Sequence, residues 1–137
     1  EPVAKSETPN ASTGDARGKR ILVVDDNMQA ADSLVKLLNK VGAHAEALYS
    51  GEETLAHELH TFDIMLLDVG MPRMDGYELV KTLRSRGVDC PIIALTGYGM
   101  ADDKQKAKDA GFTTHLTKPI GLKELSKAIQ EATSTKV

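Results

Sequence analysis

From Arg20 onward, five short apolar runs alternate with stretches of helical period, and that alternation leaves few architectures open. Ile21 to Val24 is a continuous β-branched and leucine run, suited to a strand covered on both faces. Ile64 to Leu67 and Ile92 to Leu95 have the same character, and weaker runs at about Ala43 to Leu48 and Thr114 to Thr117 complete the set. Between them, Ala31, Leu34, Val35, Leu38 and Val41 mark one face of a helix that Gly42 can terminate. The spacing of Ser50 to Glu53 predicts a capping box for a second helix carrying Leu55 and Leu59. Leu79, Val80 and Leu83 give a third, with Gly87 after it, and Leu122, Leu125 and Ile129 a fifth. The fourth helix, near Ala101 to Ala110, has mostly alanines at its apolar positions and is expected to be the loosest element. This is the pattern of βα repeats around a parallel sheet, with right-handed crossovers placing helices on both faces. Periodicity alone leaves the strand order open.

At 137 residues with 41% apolar content, the chain fits one such domain and has no room for a second. Residues 1–18, rich in Ser, Thr, Pro, Ala and Gly without apolar periodicity, read as a flexible linker ahead of a domain at 19–133 and a tail at 134–137. A start at Glu1-Pro2, with no initiator Met, suggests a piece of something longer. The net charge of −3 provides no basic excess for a nucleic-acid backbone. No apolar run exceeds four residues, where a membrane span needs about 20. The single cysteine, Cys90, has neither a disulfide partner nor zinc-ligand spacing, which suits a reducing compartment and makes the cytoplasm the expected location.

Ligands of such sheets sit at the carboxyl ends of the strands, and here those ends are chemically unusual. Strand one ends in Asp25 and Asp26, strand three in Asp68, strand four in Thr96 and strand five in Lys118. If strands one and three are neighbours, three carboxylates converge, and each pair at 4 Å costs about 4 kcal/mol at an effective dielectric near 20. Magnesium offsets that cost: it is a hard cation that takes one or two carboxylates, keeps several waters and accepts phosphate oxygens as remaining ligands. The site then binds a phosphoryl group together with metal. Lys118 supplies a point charge for a phosphate oxygen, Thr96 a hydroxyl donor and Gly97 a reachable backbone N–H. In that setting a nearby carboxylate acts as nucleophile toward an activated phosphoryl group.

Asp25-Asp26, Asp68 within Asp68-Val69-Gly70-Met71-Pro72-Arg73-Met74-Asp75-Gly76, Leu95-Thr96-Gly97 and Lys118-Pro119, in this order and spacing, closely resemble the receiver domain of response regulators, from about Lys19 to Thr133. The resemblance implies a flavodoxin-like (βα)5 doubly wound α/β fold, with five parallel strands in order 2-1-3-4-5 and five helices. It implies that Asp68 is the phosphoacceptor, Asp26 a direct magnesium ligand, Asp25 an outer ligand acting through water, and the Gly70 carbonyl a further ligand. Lys118 and Thr96 would then contact the phosphoryl group, the Lys118–Pro119 bond would be cis, and Thr96 would begin a switch at the face of strand 4, helix 4 and strand 5. Three residues before the lysine, where the family often carries a rotating tyrosine or phenylalanine, this chain has His115. The implied partner is a histidine kinase or histidine phosphotransfer domain. Asp68-Val69-Gly70, Leu95-Thr96-Gly97-Tyr98-Gly99 and Ala110-Gly111-Phe112 look like receivers at the C-terminal end of hybrid sensor histidine kinases; a free-standing single-domain regulator is the main rival.

Other readings compete for the same residues. A lone Asp-Asp pair after a strand is usually a turn or helix cap, and only the joint placement at strand ends outweighs that. His57 and His60 lie three apart on a predicted helix but lack a third ligand, so a solvated face is expected. His44 and Cys90 read as packing or surface residues, Met71 and Met74 as loop anchors, and Asp75-Gly76 as loop closure and helix start. Asp102, Asp103, Lys104, Lys106 and Lys108 read as a solvated helix face. An aspartyl-nucleophile phosphohydrolase of the haloacid-dehalogenase type needs a second Asp two residues after the nucleophile, where this chain has Gly70. A flavodoxin-like cofactor carrier needs a hydroxyl- and glycine-rich phosphate loop where Asp25-Asp26-Asn27 stands, and the intact acidic and basic set argues against a degenerate receiver.

Overall fold

A computed structural model of the chain describes residues 18–57, 59, 61–70, 76–97, 104–118 and 120–134. The expected linker up to residue 17, the tail from 135, His60, Met71, Met74, Asp75, Tyr98, Gly99, Asp102, Asp103 and Pro119 with its expected cis bond lie outside those residues. Strands and helices alternate as β1 (Arg20–Val24), α1 (Met28–Lys40), β2 (His44–Leu48), α2 (Gly51–Ala56), β3 (Ile64–Asp68), α3 (Gly76–Ser85), β4 (Ile92–Thr96), α4 (Lys104–Ala110), β5 (Thr114–Thr117) and α5 (Leu122–Ser134). The five strands form one parallel sheet in the order β2-β1-β3-β4-β5, the flavodoxin-like (βα)5 arrangement expected above.

The continuous apolar runs occupy the three central strands because those strands are covered on both faces. Successive side chains point to opposite sides. Ile21, Val23, Ile64, Leu66, Ile93 and Leu95 pack with Leu34 and Leu38 of α1 and with Leu125 and Ile129 of α5. Leu22, Val24, Met65, Leu67, Ile92 and Ala94 pack on the other side with Leu79, Val80 and Leu83 of α3 and with Phe112. Fully burying each of these side chains other than Ala94 is worth about 1.5–3 kcal/mol, so the two half-cores fix which face each helix covers. No helix among the described residues is long and apolar enough to cross a membrane.

Two local expectations need correction. α2 stops at Ala56, and His57 has an extended backbone with ψ 153°, so Leu59 is buried beyond the helix rather than on it. His57 therefore does not belong to a helical face; its Nε2 lies 3.8 Å from Glu46 Oε1 on β2. The cap of α2 is also modified: Ser50 Oγ accepts from the Glu53 amide at 3.0 Å, but the Glu53 carboxylate accepts from the Tyr49 amide at 2.8 Å, one residue before the cap. α4 is described from Lys104, and its buried side chains among those described are Ala107 and Ala110.

Candidate functional site

The order of the strands puts β1 directly beside β3, with Val24 opposite Leu67, so the residues that end the two strands meet. Asp25 is 1% exposed, Asp68 is 6% exposed, and Asp26 is exposed at the rim. Each of the three offers a carboxylate oxygen, and those oxygens lie within 4.8 Å of one another. The turn into α1 organises one side of the cluster. Asn27 caps the helix by accepting from the Ala30 amide at 3.1 Å, while its own amide donates to Asp25 Oδ1 at 3.0 Å. On the other side, the Gly70 amide donates to Asp68 Oδ1 at 3.1 Å.

Lys118 enters from the end of β5, held by its backbone N–H donating to the Thr96 carbonyl at 2.8 Å. Its Nζ donates to Asp25 Oδ2 at 3.0 Å and lies 3.3 Å from Asp68 Oδ1. In this state the ammonium is thus shared between two carboxylates and stands nearer to Asp25. Burial, reinforced by the Asp25 charge, raises the pKa of Asp68 above its ordinary value, although the Gly70 amide and Lys118 both oppose the rise. Burial lowers that of Lys118, but its bonds and charge contacts with Asp25 and Asp68 outweigh burial, and the net shift is upward.

Thr96 is buried at the end of β4, and its Oγ1 donates to the Leu116 carbonyl on β5 at 3.2 Å. The hydroxyl is therefore engaged with β5 and not with the acidic cluster. Gly97 follows at the rim, half-buried. His115, half-buried, sits opposite Ala94 in the β4–β5 register. A groove of about 230 Å³ opens beside the cluster, lined by Asp25, Lys118 and Ile120 and by Ala30, Leu34 and Leu37 of α1.

Among the described residues, three carboxylates against one ammonium give this cleft more negative than positive groups. Oxygen donors at this spacing fit a hard divalent cation, and such a cation would in turn offer open positions to an anion. The sequence placed all of these residues at strand ends, yet it did not show that Lys118 pairs with Asp25 or that the Gly70 amide holds Asp68. Gly76 carries a stronger constraint than its reading as a helix start suggested. A β-carbon there would stand 2.6 Å from Val69 Cα and 2.7 Å from the Asp68 carbonyl oxygen, so the first turn of α3 lies directly against the backbone of Asp68.

The response regulator receiver domain family matches residues 21–130. A probable histidine kinase 2 of Oryza sativa subsp. indica is 35% identical over 131 residues, covering 82% of this chain and 12% of that protein. The response regulator MprA of Mycobacterium avium is 40% identical over 107 residues, covering 77% of this chain and 47% of that protein. The chain thus spans less than half the length of either relative. A crystal structure of a response regulator receiver domain protein from Clostridium thermocellum superposes with a TM-score of 0.78 at 27% identity, covering 86% of this chain and 96% of that one.

Proposed function

Because this chain belongs to the response regulator receiver domain family, we propose that it is the phosphoacceptor of a two-component phosphorelay and takes a phosphoryl group from a phosphohistidine onto Asp68. A carboxylate oxygen of Asp68 forms the new P–O bond as the P–N bond of the donor breaks, and the imidazole leaves with the electron pair and takes up a proton. The observation that carries this reading is the sharing of Lys118 Nζ between Asp25 at 3.0 Å and Asp68 at 3.3 Å, which sets a mobile positive charge beside the attacking oxygen. Lys118 follows the incoming phosphoryl oxygen, and the Gly97 N–H donates to another. A magnesium ion held by Asp26, Asp68 and the Gly70 carbonyl, with Asp25 acting through water, would neutralise the carboxylate excess and the charge on the phosphoryl oxygens.

The output follows from Thr96. When Asp68 is modified, its hydroxyl exchanges the Leu116 carbonyl for a phosphoryl oxygen, and His115 moves into the space released beside α4. The donor's histidine-bearing surface docks on the groove formed by α1 and Ile120, because Asp25 and Lys118 line that same groove. The unit that performs this is residues 19–133, with 1–18 as linker and 134–137 as tail, in the cytoplasm.

The parent chain is a hybrid histidine kinase carrying this unit at its C-terminal end, a reading favoured by the kinase relative of which the match covers 12%. The alternative is a free-standing single-domain response regulator; the similarity to the regulator MprA, of which the match covers 47%, favours a response-regulator parent but not the single-domain form. A phosphohydrolase reading lacks its proton donor at Gly70. Incubation with acetyl phosphate and magnesium, followed by intact mass, tests the central proposal: one phosphoryl group is expected on the wild type and none on Asp68→Asn. Equal labelling of the two proteins would overturn it.

A further inference from the structure

α4 is anchored at its C-terminal end by contacts that reach three other parts of the chain. Among its described side chains, Ala107 and Ala110 are the buried ones, and Lys106 places its ammonium 4.6 Å from the centroid of the Tyr77 ring. The turn that follows the helix is tied by a single arginine. Arg84, in the last turn of α3, donates to the Gly111 carbonyl from Nε at 3.0 Å and from Nη2 at 2.9 Å. Its Nη1 donates to the carbonyls of Val88 at 2.9 Å and Cys90 at 2.8 Å. One rigid guanidinium fork therefore joins the end of α3, the approach to β4 and the turn that follows α4.

That turn is closed from other directions as well. The amides of Gly111 and Phe112 donate to the Ala107 carbonyl at 3.2 and 3.0 Å, and the Thr113 amide donates to the Ile92 carbonyl at 2.7 Å. Phe112 is buried edge-on against Tyr77, with centroids 6.1 Å apart. Gly111 has φ 127°, and a β-carbon there would stand 3.0 Å from Arg84 Cγ, so only glycine accommodates both the turn and the arginine.

We infer that Arg84 and Gly111 form a fixed pivot, so that α4 answers activation of Asp68 by swinging about its C-terminal end while residues 111–113 stay in place. The inference rests on the phosphoacceptor reading. Displacement in a swing grows with distance from the pivot, so the Lys104 turn moves most and the turn into β5 least. Thr113, bonded to Ile92, keeps the β4–β5 register unchanged during that motion. His115 and Leu116 then change environment without sliding along β4.

The test compares backbone amide chemical shifts and hydrogen exchange in the 137-residue protein with and without magnesium and beryllofluoride, a mimic of the aspartyl phosphate. In the wild type, the change is expected to be largest at Lys104 and to fall toward Gly111, Phe112 and Thr113. Arg84→Lys replaces the fork with one ammonium that does not span all three carbonyls. It is expected to carry the change through Thr113 and to speed exchange at Gly111 and Phe112 about tenfold, as the loss of charge-assisted bonds implies. Equal changes along all of α4 in the wild type, or an unaltered gradient in Arg84→Lys, would overturn the pivot. If Arg84→Lys does not fold, the wild-type gradient decides by itself. No response anywhere in the wild type overturns the phosphoacceptor reading and the pivot with it, whereas a response that is uniform along α4 overturns the pivot alone.

Discussion

Asp25 and Asp26 are adjacent in the chain, yet they face opposite energetic situations. Asp26 is exposed and adds repulsion to Asp68, while Asp25 is buried, accepts from the Asn27 amide and pairs with Lys118. Asp26→Ala is therefore expected to raise the melting temperature of the metal-free protein, and Asp25→Ala to lower stability by about 1–3 kcal/mol because it removes the charge-assisted bonds that the carboxylate accepts from Lys118 Nζ and the Asn27 amide. Urea unfolding in chelator measures both; a gain in Asp25→Ala would contradict the pairing as a stabilising contact. Asp68 has its own pH signature. A carboxyl whose folded pKa lies above its ordinary 3.8 binds more protons when folded, so its contribution to stability falls as pH rises from that value through the raised one. Asp68→Asn should accordingly be more stable than wild type at neutral pH, and the difference should shrink on acidification toward pH 3.8. A difference that grows on acidification would reverse the sign assigned here. With Thr96 as the proposed donor to the phosphoryl group, Thr96→Ala should slow labelling by acetyl phosphate on the order of 10²-fold, whereas His115→Ala should leave the rate nearly intact. Failure of His115→Ala to label would move that histidine from the relay into the chemistry.

Among the elements, α3 is the one whose position most directly controls the site. Its first residue, Gly76, touches the backbone of Asp68 and Val69, and its amide donates to the Val69 carbonyl at 3.3 Å. Gly76→Ala would place a methyl where no volume exists, at an expected cost of about 1–3 kcal/mol. Because the strain falls on β3 at Asp68, the proposed phosphorylation by acetyl phosphate should slow in the same variant. Thermal unfolding and labelling rate measure the two effects; an unchanged melting temperature would show that α3 can retreat freely. α2 illustrates a limit of local pattern. Leu55 and Leu59 have helical spacing, but the chain leaves the helix at His57, and Leu59 reaches the core through an extended segment. Burial of Leu59 fixed its destination without fixing the path of the backbone between.

On the scale of the whole molecule, the sheet gathers charge from three distant parts of the chain at the carboxyl ends of its strands, and the gathering has a thermodynamic consequence. A cation that binds the folded cluster but not the dispersed carboxylates of the unfolded chain stabilises the fold by mass action. Raising magnesium to 100 times its dissociation constant should add about 2.7 kcal/mol to wild-type stability, and Asp26→Ala should abolish most of that increment. Denaturation curves across a magnesium titration check this, and an undiminished increment in Asp26→Ala would remove that residue from the metal shell. The five apolar runs, their terminal Asp25, Asp68, Thr96 and Lys118, and the faces of α1, α3 and α5 were all legible in the sequence, because strand burial and helical amphipathicity are written in local residue order. The strand order came from family resemblance, since periodicity says nothing about which strands are neighbours. Only the tertiary structure decided that Lys118 shares its ammonium between Asp25 and Asp68, that the Thr96 hydroxyl rests on Leu116, and that Arg84 binds the carbonyl of Gly111. The long-range pairs among these, 93 residues apart for Lys118 and Asp25 and 27 for Arg84 and Gly111, form when crossover connections close the sheet and fix its register, and no local pattern encodes that closure.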